Sequence, residues 1–148
     1  MKSIKAIIAI FAMLISTAAF AADKNSAPAL RGYDAISYHT IGRPVMGNGS
    51  NASTYKGQTY LFINKEHKNT FDKNPEKYVP AYGGWCAYGV SAGKKFHGDP
   101  LVWKIVDGKV YLNLNNKIQG LWSENIEGYI NGANEKWEEI KDKPASSL

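Results

Sequence analysis

The chain has 148 residues, of which 44% are hydrophobic and 12% aromatic, and 18 Lys and Arg against 13 Asp and Glu give it a formal net charge of +5. Its single cysteine, Cys86, excludes an internal disulfide. The lysines are scattered rather than clustered, so the modest basic excess reads as a solvated surface and argues against nucleic acid as a partner.

Lys2 and Lys5 precede an apolar stretch over residues 6–15, and a run of small residues ends in Ala19-Phe20-Ala21. A charged start, a short apolar middle and an A-x-A end predict a cleavable signal peptide over residues 1–21. The alternative is an uncleaved anchor, because the apolar run over 4–22 approaches the roughly 20 residues that span a bilayer. No cysteine follows the run to accept a lipid, and no twin-arginine pair precedes it. The expected product is exported, periplasmic or secreted, with no stable membrane insertion after cleavage. It retains about 127 residues, an ordinary length for one domain.

Residues 22–31 are small and polar and read as a flexible leader. Residues 33–39 read as a short strand, and the Gly, Asn and Ser of 42–53 as a loop. The aromatic and β-branched runs 53–55 and 59–63 flank Lys56-Gly57-Gln58 and predict a hairpin. Asn64 is placed to cap a helix over 65–73, and Pro75 to start a second helical turn through Tyr78. His67 and Phe71, four apart, share one face of the first of these helices, with Phe71 aimed at the core. Between 80 and 98 the chain is rich in glycine and aromatics, with paired glycines suited to a bend or close backbone approach. The runs 103–106 and 109–114 flank Asp107-Gly108, a preferred two-residue hairpin turn. Ile118, Leu121 and Trp122, then Ile126, Tyr129, Ile130, Ala133 and Trp137, recur at helical spacing. Residues 142–148 read as a frayed tail. The sequence shows no internal repeat and no interdomain linker. These elements predict an α+β fold, one small domain of antiparallel β-hairpins with short packed helices.

Tyr55-Lys56-Gly57-Gln58-Thr59-Tyr60-Leu61-Phe62, then Phe71, then Asn74-Pro75-Glu76-Lys77-Tyr78, resembles the pattern of the YHS domain. Gly32-Tyr33-Asp34, Tyr82-Gly83-Gly84-Trp85-Cys86-Ala87-Tyr88, Gly98-Asp99-Pro100 and the segment 106–113 are similar to the longer, exported members of that family. The resemblance implies a YHS-like domain over 32–141 and a binding rather than enzymatic role. It also implies metal binding, since many relatives carry cysteines. In this chain Ser37, Ile63 and His67 stand where relatives carry cysteine.

Three chemistries compete for the remaining residues. A soft metal, copper or zinc, would use the thiolate of Cys86 and the imidazole of His67, with Met46, His97 or His39 completing the set. A metal-free site for a small ligand or a partner would use the Gly/aromatic segment 82–96, through Tyr82, Trp85, Tyr88 and Phe96. Against these stand ordinary roles: a packed small cysteine, a hydrogen-bonded core-edge histidine and aromatics that fill the interior. Cys86, His97 and Asp99 supply the residue types of nucleophile, base and orienting acid, but no local signature surrounds them. No C-x-x-C pair supports thiol exchange.

Overall fold

The structure, a computed structural model, describes residues 27–148, so the segment read as a signal peptide lies outside the described residues. A turn at Ala29–Gly32 leads into α1 (Ser37–Thr40), the hairpin β1 (Asn48–Tyr55) and β2 (Gln58–Phe62), then α2 (Lys65–Lys73) and α3 (Pro75–Tyr78). A second turn at Ala81–Gly84 leads into α4 (Ala87–Ser91), the hairpin β3 (Asp99–Val106) and β4 (Lys109–Asn113), then α5 (Asn116–Ser123) and the long α6 (Ile126–Ile140). The fold is α+β, with two antiparallel two-stranded sheets. No helix among the described residues is long and apolar enough to cross a membrane.

Local chemistry accounts for most of these elements. Lys56 and Gly57 at one hairpin tip, and Asp107 and Gly108 at the other, have positive φ, as a two-residue turn matched to strand twist requires. The side chain of Asn64 accepts from the His67 amide at 2.8 Å and starts α2. Asn115 does the same for α5 through the Ile118 amide at 3.0 Å. Residues 33–39 form no strand. The Oδ1 of Asp34 accepts the Ile36 amide and its carbonyl accepts the Ser37 amide, which folds the chain into α1. The segment read as a loop, 42–53, becomes strand from Asn48, with a bulge between Asn48 and Ala52 absorbing its irregular sequence.

The two hairpins sit in matching surroundings, so the chain is built from two similar halves, a repeat that sequence reasoning missed. Tyr33 bridges Met46 in the first half, and Trp85 bridges His97 in the second. The Gly47 amide donates to the Gly32 carbonyl at 2.8 Å, and the Gly98 amide donates to the Gly84 carbonyl at 3.1 Å. Each hairpin carries a bulge early in its first strand and is followed by an Asn-capped helix. Some matched positions keep their residue, Gly32 and Gly84, Gly47 and Gly98, Tyr60 and Tyr111, Asn64 and Asn115, whereas others differ, Asp34 against Cys86, Met46 against His97 and His67 against Ile118.

An isolated two-stranded sheet is marginal in water, so both hairpins depend on packing. One core joins Leu30, Ile36, Tyr38, Phe62 and Phe71 to Val110 and Leu112 of the second hairpin. The other gathers Tyr82, Ala87, Val90, Trp122, Ala133 and Ile140 beneath α6. Full burial of Phe71 or Trp122 stabilises the fold by roughly 1.5–3 kcal/mol relative to exposure. Both ends of the domain extend beyond the expected limits. Leu30, read as part of the leader, is buried in the first core, and Leu148 packs on the second. The tail is also tied at Lys95, whose Nζ donates to the carbonyls of Lys141 and Lys143.

Candidate functional site

A cavity of about 510 Å³ opens where the two halves meet. Its walls include Leu30 and Arg31 of the first turn, Gly83 and Gly84 of the second, and the rings of Trp85 and His97. Both turns are left-handed. Leu30 (φ 54°, ψ 26°) and Arg31 (φ 51°, ψ 29°) match Tyr82 (φ 54°, ψ 30°) and Gly83 (φ 63°, ψ 20°). Left-handed backbone costs a non-glycine residue on the order of 1–2 kcal/mol, and such strain collects at functional sites. Glycine relieves it at 83; at the matching position 31 the chain carries arginine.

The flat wall comes from the backbone bridge between Trp85 and His97, which stacks the two rings at 4.5 Å with 26° between their planes. The bridge needs Gly98 beside it. A Cβ there would lie 2.5 Å from the Leu112 Cβ and 2.7 Å from the Gly84 carbonyl oxygen. The cavity is thus lined by a stacked aromatic pair, bare glycine backbone and one arginine, and its volume is within the size range of small-molecule sites.

The Gly/aromatic segment contributes less of this wall than expected. Trp85 lines the cavity. Tyr82 is a core residue whose hydroxyl donates to the Asn134 Oδ1 at 2.9 Å, and burial pushes its phenol pKa up. Tyr88 packs on Tyr129 with ring centroids 5.0 Å apart, and Phe96 lies half exposed beside Gly89. Sequence reasoning missed Arg31, because a charged residue in a polar leader carries no pattern. Trp85, His97 and the paired glycines 83 and 84 were the legible signals.

Cys86 is buried and belongs to the fold. Its Sγ accepts the Gly89 amide at 3.5 Å, capping α4, and faces the Asn113 Oδ1 at 3.6 Å. Asn113 is also buried, and its Oδ1 accepts the Tyr88 amide. In the first half the matching place is held by Asp34, whose carboxylate is completely buried. The Asp34 Oδ2 accepts from the Ile63 amide at 2.9 Å and from the His67 Nδ1 at 2.7 Å. The Ser37 hydroxyl donates to the Asp34 carbonyl. Ser37, Ile63 and His67, the three positions that the family resemblance singled out, thus converge on one residue, Ile63 and His67 through the Asp34 carboxylate and Ser37 through its backbone carbonyl.

These contacts decide how the residues fit copper or zinc. His67 points its Nδ1 at Asp34 and its Nε2 at the Thr40 hydroxyl, 3.4 Å away. His97 is stacked in the cavity wall, and Met46, its counterpart in the other half, is 54% exposed with its Sδ beside Gly32. His39 presents its ring edge-on to Tyr78, at 5.3 Å. No group of three or more His, Cys, Asp or Glu among the described residues is placed to hold a metal ion. The donor set read from the sequence does not come together, and Cys86 and His67 serve separate polar knots.

Nucleophilic chemistry finds no better footing. Cys86, His97 and Asp99 are each engaged apart, Asp99 by accepting the Leu101 amide at 2.9 Å. Thr40 stands beside His67 and Asp34 in the order of a hydroxyl, base and acid, but its hydroxyl donates to the Ile36 carbonyl at 3.1 Å. Comparison of the chain with protein-family models, curated proteins and solved structures returned no match.

Proposed function

We propose that this chain is an exported, non-enzymatic binding protein of YHS type that holds a small organic ligand in the cavity between its halves. The observation that carries the reading is the left-handed turn of each half set around one cavity beside the Trp85–His97 stack. Strained backbone is retained there, where an unstrained connection would serve a purely structural role. The signal-type N-terminus supports export. The metal-binding alternative loses support because its thiol and imidazole are committed to Asn113, Gly89 and Asp34.

The test is a screen of aromatic and aliphatic metabolite-sized compounds against the purified full chain, read by thermal shift and tryptophan fluorescence, beside Trp85→Leu. Saturable binding that raises the melting temperature and falls at least tenfold in Trp85→Leu is the expected result. A chain that binds nothing in the screen, yet takes up Cu(I) or Zn(II) stoichiometrically through Cys86, would overturn it.

A further inference from the structure

Resting on the cavity reading, we infer that its ligand is a small planar carboxylate, with the ring against the Trp85–His97 side of the cavity and the carboxylate held by Arg31. Among the described residues, Arg31 is the only permanently charged one that lines the cavity, and no Asp or Glu lines it. It takes part in none of the ion pairs among the described residues. A guanidinium without a protein carboxylate beside a concave site is a ready partner for an anionic ligand, because its planar fork matches two carboxylate oxygens at once.

The backbone strengthens the assignment. Arg31 holds the left-handed conformation that glycine holds at the matching position 83. Glycine would adopt it without strain, so the chain keeps an arginine there at a backbone cost. Leu30 and Tyr82 share the left-handed backbone, but of the three only Arg31 is charged, and it lines the cavity.

The remaining walls set the shape of the ligand. Trp85 and His97, whose rings stack, line one side with the Lys95 Nζ 5.8 Å from the Trp85 ring centroid, and Gly83 and Gly84 leave the backbone bare beside them. A lone guanidinium matches a single negative charge. A phosphate monoester, with up to two charges at neutral pH, would call for further donors, and no lysine among the described residues lines the cavity. The space suits one or two fused rings.

The experiment titrates the full chain with benzoate and indole-3-carboxylate and with the uncharged benzamide and indole-3-carboxamide, in the unmodified protein, Arg31→Gly, Arg31→Lys and Trp85→Leu. The acids should bind at least tenfold tighter than their amides and more weakly as salt rises. Arg31→Gly should erase that preference while the melting temperature holds or increases, since glycine relaxes the turn, and Arg31→Lys should keep part of it. Amides that bind as well as acids, or an acid preference that survives Arg31→Gly, would overturn the role of Arg31 and leave the cavity as a neutral-ligand site. No saturable binding of either acids or amides would overturn the carboxylate together with the cavity reading.

Discussion

Asp34 and Cys86 occupy the same place in the two halves, each at the start of a short helix and each donating its backbone amide across the chain, to Val45 and Phe96. The first half closes this place with a carboxylate and an imidazole, the second with a thiol and an amide side chain.

Removing the Asp34 carboxylate should be among the most damaging single changes. Asp34→Ala strands the amides of Ile36 and Ile63 and the Nδ1 of His67, all of which donate to it. Leaving a buried, hydrogen-bonded pair without one partner costs about 3–5 kcal/mol. Urea denaturation of Asp34→Ala should show a midpoint lowered accordingly, and His67→Ala should lose less, since both backbone donors keep their acceptor. Equal losses in the two variants would contradict this ordering.

Cys86→Ser should be tolerated. Serine is a better helix cap than cysteine and can still reach Asn113, so the change in stability should stay within about 1 kcal/mol. In the unmodified chain the thiol should react with a disulfide reagent only through transient opening of the fold, because reactivity needs an accessible thiolate. Rapid labelling of the native protein, at a rate independent of added stabilising osmolyte, would place the thiol at the surface instead.

Much of the local structure was legible in the residues. Asn64 and Asn115 announce their helices, Asp107-Gly108 its hairpin, and the spacing of Ile126 to Trp137 the long helix. The candidate site was not, because it is made by juxtaposition. Trp85 could be named as an aromatic near paired glycines, but nothing in the letters places residues 27–31 against them. The pairing of His67 with Cys86 failed for the same reason, since each answers to a partner, Asp34 or Asn113, that sequence spacing does not reveal.

His39 should make the fold sensitive to acid. Burial lowers its pKa from the ordinary 6.5, and the nearby charges of Lys77 and Lys109 lower it further. The Nε2 is buried without a hydrogen-bond partner, so protonation has nothing to reward it. With the folded value depressed, its contribution to stability is intact above about pH 6.5 and is lost as the pH falls through the folded value. His39→Gln should flatten the fall in melting temperature between neutral and mildly acidic buffer. A variant with the same slope as the unmodified chain would assign the acid response to other groups.

Two glycines offer a paired test of packing. Gly98→Ala would press a methyl group into Leu112 and the Gly84 carbonyl and should cost roughly 1–3 kcal/mol, as overpacking does. Gly120, inside α5, has open space around an added Cβ. Gly120→Ala should therefore stabilise the chain by about 0.5–1 kcal/mol through helix propensity. Thermal melts of the two variants should move in opposite directions.

The placing of Val110 and Leu112 in the core of the other half reaches beyond packing. A duplicated form often behaves as beads on a string, in which one bead can be lost, swapped or multiplied while its neighbour goes on working. Here the second hairpin plugs the interior of the first, so a splice between the halves would leave a hole in one fragment and an oily plug on the other. The two halves repeat a shape, but the shared interior binds them into one unit.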